Sequence, residues 1–202
     1  GLGAPQPPEC AAVECPPSRT MRAPNSTRFG VRAYPADHLW VTYSVDKLGE
    51  AFEEATYEGF EHLFGYISGA NADGTKIDMT APVWTRIEAG AGPFCKSHFK
   101  VAFSVPAKLQ GDAPKPTDAQ VALEPTGAAL SCVAVRGFGG HAKDTNIIAE
   151  SAALAQELED GGWVFDASAF VVAQYDDPYT PSGRHNEILL PLSPSACASA
   201  SE

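Results

Sequence analysis

The stretch Tyr57-Glu58-Gly59-Phe60-Glu61-His62-Leu63-Phe64-Gly65-Tyr66-Ile67-Ser68-Gly69-Ala70-Asn71-Ala72-Asp73-Gly74-Thr75-Lys76-Ile77-Asp78-Met79-Thr80-Ala81-Pro82-Val83 decides how the chain folds. Apolar residues recur at steps of three and four as far as Ile67, Gly69 and Asn71 stop the pattern, and Ala72-Asp73-Gly74 makes a turn. A helical period that passes through a turn into an extended segment ending in Pro82-Val83 describes a helix lying on a sheet.

Upstream, Asp46 is expected to cap this helix, with Glu50 and further acidic residues in the early turns where the dipole favours them. Phe52, Ala55, Thr56, Phe60, Leu63, Phe64 and Ile67 then share one face of a helix of about 34 Å at ~1.5 Å per residue. Before it, Phe29, Val31 and Ala33 alternate, Tyr34 to Asp37 turns, and Leu39 to Val45 is a second strand forming a hairpin with the first. Residues 1–20 carry five prolines and two cysteines without periodicity. They read as an extended arm tethered by its cysteines.

Downstream, Lys76 to Ile87 is a strand whose Pro82 calls for an edge position or a bulge, and Phe99 to Val105 alternates cleanly. After a Pro-rich connector the pattern returns. Val121 and Leu123 lie in one strand and Cys132 to Phe138 in another, Asp144 or Thr145 caps a helix to Asp160, and Ala169–Tyr175 and Glu187–Leu192 are strands. Two strand-strand-helix-strand-strand units, at about 27–106 and 119–192, predict an α+β fold. Two four-stranded antiparallel sheets would form a distorted barrel with two long helices outside. Residues 21–192 are thus expected to be one domain, and residues 193–202 a flexible tail unless Cys197 is bridged.

Composition narrows the function. With 202 residues, 44% hydrophobic and 19% charged, the chain can bury a core of ordinary size. A net charge of -11 without a basic cluster argues against nucleic acid, and no apolar run approaches the roughly 18–20 residues of a membrane span. Cys10, Cys15, Cys95, Cys132 and Cys197 lack zinc-site spacing, so disulfides are expected, with reduced buried thiols as the alternative. A bridge from Cys95 to Cys15 or Cys10 would close a loop of about 80 residues and stabilise by roughly 4–5 kcal/mol. Asn25-Ser26-Thr27 is a glycosylation sequon, and the Gly-Leu-Gly-Ala start resembles a processed end. Together these predict an exported, extracellular protein, with a plastid or thylakoid lumen as the alternative.

No nucleophile–base pair, carboxylate pair or metal cluster stands out, which predicts a non-enzymatic protein. Gly137-Phe138-Gly139-Gly140 lacks the full phosphate-loop pattern and reads as a turn. The five histidines are scattered; His62, between Phe60 and Phe64, could line a groove with Tyr66 or simply face solvent. Tyr57, Phe60, Phe64 and Tyr66, with Trp84 on the following strand, exceed what one thin core layer requires. Core packing accounts for most of them, and a flat apolar ligand could use the surplus.

Several segments resemble the SOUL haem-binding protein family. They are Phe60-x-x-Leu63-x-x-Tyr66-Ile67-x-Gly69-x-Asn71, Lys76-Ile77-x-Met79-Thr80-Ala81-Pro82-Val83, Gly92-Pro93-Phe94-Cys95, Val133-Ala134-Val135-Arg136-x-Phe138-x-Gly140, Ala173-Gln174-Tyr175-Asp176-x-Pro178 and Gly183-Arg184-x-Asn186-Glu187-Ile188. With Glu14-Cys15-Pro16 at its start, the chain is most similar to the exported plant and green-algal branch. The resemblance implies reversible binding of haem or a related tetrapyrrole, in a groove between the first helix and the loop joining the last two strands. By position, Tyr57, Phe60, Glu61 and Phe64 would form one wall, and Tyr175, Asp177, Tyr179 and Thr180 the other. Ala33 occupies the place of the family's proposed axial histidine, leaving His62 and His38 as candidate iron ligands. Tyr57, Gly65 and Thr180 stand where basic residues could meet propionates. These departures suggest an alternative: an interaction subunit of an extracellular or lumenal assembly that has lost haem binding.

Overall fold

A computed structural model describes residues 7–21, 28–46, 51–88 and 98–199. Alternating β-branched and aromatic residues build nine antiparallel strands: β1 (Arg19–Met21), β2 (Gly30–Ala33), β3 (Leu39–Val45), β4 (Val83–Glu88), β5 (His98–Ser104), β6 (Val121–Pro125), β7 (Cys132–Gly139), β8 (Ala169–Gln174) and β9 (His185–Pro191). All belong to one curled sheet in the order β1-β2-β7-β9-β8-β4-β5-β3-β6. Leaving β1 aside, this order is a palindrome of two units, in which the first strand of each half has crossed to the other half's sheet. The α+β distorted barrel is therefore present, but the two expected four-stranded sheets are joined into one by the β4–β8 pair.

That exchange overturns the hairpin expected between the first two strands of the repeat. β2 pairs with β1 and β7, and β3 with β5 and β6. Period-two alternation marks a strand but does not choose its partner. Pro82 lies just ahead of β4 rather than within it, in a cis peptide bond with Ala81. β4 is then free to occupy the centre of the sheet, where an internal proline would remove a ladder bond. The Gly137-Phe138-Gly139 segment, read as a turn, continues β7 and pairs with β9.

Two long helices, α1 (Phe52–Ile67) and α2 (Asp144–Asp160), lie on one face of the sheet. At 16 residues α1 spans about 24 Å, shorter than expected. Asp46 does not cap it; that carboxylate pairs with His98. Asp144, expected to cap its own helix, accepts the Phe52 N–H at 3.3 Å and so joins the start of α2 to the start of α1. Phe52, Ala55, Leu63 and Ile67 are buried as their spacing predicts, joined by Gly59 and Tyr66, whereas Phe64 is exposed.

Gly59 is where helix and sheet touch most closely. A Cβ there would lie 2.3 Å from a Val101 methyl of β5, and both flanking backbones are held in regular ladders. Gly59→Ala should destabilise by about 1–3 kcal/mol through overpacking, read as a lower urea midpoint. An unchanged midpoint would mean that α1 rides freely on β5.

The sheet is covered on both faces. The helix side holds the larger core, including Val31, Val41, Val101, Phe103, Val172 and Ile188 under α1 and α2. The opposite, concave side holds Tyr34, Trp40, Trp84, Val133, Val171, Tyr175 and Leu189, with Cys10 and Cys15 of the N-terminal arm packed against it. The arm's cysteines bond to each other, so neither Cys10 nor Cys15 is available to Cys95, and the expected 80-residue loop closure is absent. Cys95 itself, like Asn25, lies outside the described residues. The arm is held instead by packing and by Glu14, whose main-chain oxygen accepts the Ala81 N–H at 3.0 Å and whose carboxylate accepts the Ala107 N–H at 2.6 Å.

A second bridge joins Cys132 on β7 to Cys197. Residues 194–199 are accordingly a short helix, α3 (Pro194–Ser199), rather than a loose tail. Among the described residues, no helix is long and apolar enough to cross a membrane.

Candidate functional site

Helical geometry sorts the predicted groove residues. At 100° per residue, Tyr57, Phe60, Glu61 and Phe64 fall on one flank and the solvent side of α1, while His62 falls on the opposite flank. Tyr57 is 67% exposed and Phe64 49% exposed. The Phe60 and Phe64 rings stack at 5.7 Å, and Phe60 meets Phe103 of β5 edge-on at 5.3 Å. The Phe60 and Phe64 rings are parallel to within 14°, an apolar patch that the core leaves partly uncovered. Glu61, also exposed, borders it.

The second predicted wall is the loop from Tyr175 to Arg184. It is braced from below by buried Arg184, which donates to the main-chain oxygens of Asp177 at 2.7 Å and Thr180 at 3.1 Å. Asp177 Oδ1 accepts the Tyr179 N–H at 2.7 Å, a turn that leaves the Tyr179 ring 90% exposed. Thr180 is half-buried and Asp177 exposed. Gln174, where the loop begins, lies opposite Val83, and the adjacent Trp84 lies opposite Ala102, the neighbour of Phe103. Two strand spacings of about 4.8 Å thus separate the root of the loop from the strand beneath Phe60.

Other predicted residues belong elsewhere. Tyr175 is only 8% exposed and points to the concave side, so it does not line the outer loop. Trp84, grouped with the α1 aromatics in the sequence, also faces the concave side and stacks on Trp40 at 4.0 Å. His62 lies against Tyr43 at 4.0 Å with its Nδ1 2.6 Å from Asp118 Oδ2, on the flank away from Phe60. His38 is buried beneath the connector, its Nε2 2.7 Å from Ser104 Oγ. Neither histidine is carried to the α1 aromatic flank. The His38–Ser104 contact is a base–hydroxyl pair that the sequence reading missed, because the residues are 66 positions apart. Burial lowers the His38 pKa and leaves the imidazole neutral; Ser104 is only 4% exposed, so the pair is closed to a substrate.

A buried ionic cluster on the concave side was not anticipated either. Arg32 on β2 makes a two-pronged pair with Glu187 on β9 at 2.7 and 2.9 Å, and its Nη1 also donates to Tyr34 Oη at 3.0 Å and Tyr175 Oη at 3.3 Å. Tyr175 in turn donates to Glu187 at 2.7 Å. Burial pushes Glu187 up, but hydrogen bonds from His185 and Arg32, with the Arg32 charge, outweigh it and hold the carboxyl at about 2. Burial pushes the Tyr34 phenol up to about 12 against the opposing Arg32 charge, and raises Tyr175 as well. Both phenols therefore stay protonated. Beside this cluster, under the arm, remains a cavity of about 10 Å³ lined by Cys10, Cys15, Pro16, Arg32, Tyr34 and Tyr175.

A larger cavity, about 190 Å³, lies among Ser44, Asp46, Arg86, Glu88, His98 and Lys100. Its cations are met by carboxylates, Arg86 by Glu88 at 3.1 Å and Lys100 by Glu124 at 2.8 Å, and the His98 ring is hydrogen-bonded to Asp46. It offers no surplus charge to an anion. Among the described residues, no group of three His, Cys, Asp or Glu side chains could hold a metal ion.

Residues 13–191 match the family model described as SOUL heme-binding protein. Human "Heme-binding protein 2" is 34% identical over 182 residues, covering 89% of this chain and 86% of the relative. Mouse "Heme-binding protein 1" is 29% identical over 147 residues, covering 73% of this chain and 76% of the relative. Among solved structures, the C-terminal domain of EcmrR superposes with a TM-score of 0.59 at 13% identity, covering 82% of this chain and 96% of that one. At that identity the likeness concerns the fold.

Proposed function

The chain belongs to the SOUL heme-binding protein family, and from that membership we propose that it binds haem or a related tetrapyrrole reversibly and without catalysis, in an apolar surface groove between α1 and the β8–β9 loop. The carrying observation is the exposed aromatic flank of α1, where Tyr57 and the stacked Phe60 and Phe64 offer flat apolar area to solvent. These side chains fit the plane of a macrocycle. They supply no imidazole or thiolate to iron and, with Gly65 and Thr180, no cation to a propionate. Binding by such a surface rests on stacking and burial, not on charge-assisted contacts. Haem, when bound, would bring its iron and redox chemistry; the protein's part is to hold the ring and shield one side from water.

Hemin titrated into the protein should produce a saturable Soret change that does not weaken as salt is raised, since no propionate-binding cation contributes and salt screens the repulsion between the propionates and a chain of net charge -11. Replacing both Tyr57 and Phe64 by Ala should weaken it by roughly tenfold or more, equivalent to about 1.4 kcal/mol of lost stacking and burial. No saturable change in the parent protein, with the double variant equally silent, would remove the proposal. The absence of His at Ala33 and of cations at Tyr57, Gly65 and Thr180 favours the second reading in that case, a subunit of a larger assembly. Native purification would then yield the protein with a partner. The two disulfides suit an exported protein, and we extend the proposal to an extracellular or lumenal location.

A further inference from the structure

We propose that the disulfide-closed arm, residues 7–18, is a displaceable plug over a second binding site, the concave side of the sheet, which takes a flat aromatic molecule carrying a hydrogen-bond acceptor. The site is distinct from the α1 flank, and the inference does not depend on haem.

The concave side is built from rings. Trp40 and Trp84 stack at 4.0 Å with 23° between planes, and Tyr34 meets Trp84 edge-on at 5.0 Å. Trp40 donates its indole N–H to Thr126 Oγ1 at 2.9 Å. The Trp84 indole N–H is buried and has no acceptor among the described residues, although the residue is only 3% exposed. An unmet buried donor is destabilising and rare in a native interior. Next to it the ionic cluster is internally satisfied, with Glu187 receiving bonds from Arg32 and Tyr175. The acceptor missing from this side is therefore a neutral one, within a wall of aromatic faces.

The arm covers this side without belonging to the sheet. Cys10 and Cys15, bonded across five positions, make a compact wedge that packs against the concave core. Pro16, Tyr34 and Tyr175 enclose a residual cavity of about 10 Å³, room for no more than one water. Among the described residues, the arm's hydrogen bonds to the body converge on one residue, Glu14, through Ala81 and Ala107. From Arg19 onward the chain is fixed by β1 pairing with β2. Swinging the arm aside breaks these two hydrogen bonds at Glu14 and takes the Glu9 charge away from His185, but leaves the strands in place, while Tyr34, Tyr175 and Pro82 lose their cover. The wedge competes with the ligand from within the same molecule, so the apparent affinity falls by the fraction of time the arm is closed.

The probe is 7-methoxycoumarin, a flat neutral ring system with a carbonyl acceptor, titrated calorimetrically into full-length protein. The Cys10→Ser/Cys15→Ser variant, whose wedge is no longer closed, and Glu14→Ala, which loses the side-chain tether but keeps the disulfide, should each bind about tenfold more tightly than the parent. Adding Trp84→Phe, which keeps a ring and removes the N–H, should return the affinity to the parental level. Replacing Tyr57 and Phe64 by Ala should leave coumarin binding unchanged, so failure here and failure of the haem reading are told apart. If the cysteine variant does not fold, Glu14→Ala decides alone. Coumarin binding no tighter in the folded arm variants than in the parent, or binding that Trp84→Phe leaves intact, overturns the proposal.

Discussion

Glu187→Ala lowers the stability of the protein by about 3–5 kcal/mol, because it leaves Arg32 charged and unpaired in the interior. At roughly 2–4 °C per kcal/mol for a chain of this size, the melting midpoint falls by about 10 °C. Arg32 has no escape by deprotonation, because a guanidinium keeps its proton throughout the pH range in which proteins are folded. Loss of the carboxylate also strips Tyr175 and His185 of their acceptor. A double replacement, Arg32→Met with Glu187→Leu, should recover most of the loss, since an apolar pair avoids desolvating two charges. Thermal unfolding of the two variants settles it; Glu187→Ala as stable as the parent would show that solvent reaches the pair.

The same cluster gives a pH signature. Glu187 is held at about 2, below its ordinary value of 4.5, so its contribution is present above 4.5 and is lost as the pH falls toward 2. His185 is raised from 6.5, by its bond to Glu187 against the effect of burial and with help from Glu9 and Asp176. Its contribution is present below 6.5 and is lost as the pH rises through the raised value. The cluster therefore stabilises most between about 4.5 and 6.5. In Glu187→Ala both slopes should flatten.

Removing the Cys132–Cys197 bridge is the second large effect. The two residues are 65 positions apart, and closing a loop of that length restricts the unfolded chain by about 4 kcal/mol in the entropy model. Serine at both positions should lower stability by an amount of that order and let α3 detach from β2 and β7, which it touches. Amide exchange should report that detachment as lost protection at residues 194–199 while the centre of the sheet stays slow. By contrast, the Cys10–Cys15 bridge spans five positions and restricts the unfolded chain much less. A large fall in melting temperature from Cys10→Ser/Cys15→Ser, with little from the Cys132 and Cys197 change, would contradict this ordering.

Much of the architecture was legible because it rests on local periodicity. The α1 stripe from Phe52 to Ile67 announced a helix on a sheet, and the repeated order of elements announced two related halves. What was not legible was partner choice. Nothing near Val31 says that β2 leaves its own half to lie beside β7, since that pairing is fixed by burial shared across a hundred residues. The concave cluster escaped for a related reason. In a sheet covered on one side, Arg32 between Val31 and Ala33 would point to water; here both sides are covered, and alternation cannot distinguish solvent from a second interior. Trp84 was misplaced by the same ambiguity, whereas Tyr175 was assigned to the loop wall through the family resemblance. Helical spacing placed Phe52, Ala55, Leu63 and Ile67 correctly, but it put Phe64 on the core face and counted Tyr66 among the surplus aromatics, whereas Phe64 is exposed and Tyr66 is buried.

The two ends of the sheet bear on how molecules of this protein tolerate one another at high concentration. At one end β1 has three residues among those described, a short template for an incoming segment. At the other, β6 closes on Pro125, which lacks the amide hydrogen that ladder growth requires. A nine-stranded open sheet would otherwise present two long rows of unsatisfied peptide groups to its neighbours. Short and proline-ended margins, on a strongly acidic body, discourage the stranded stacking through which β-rich proteins form fibres.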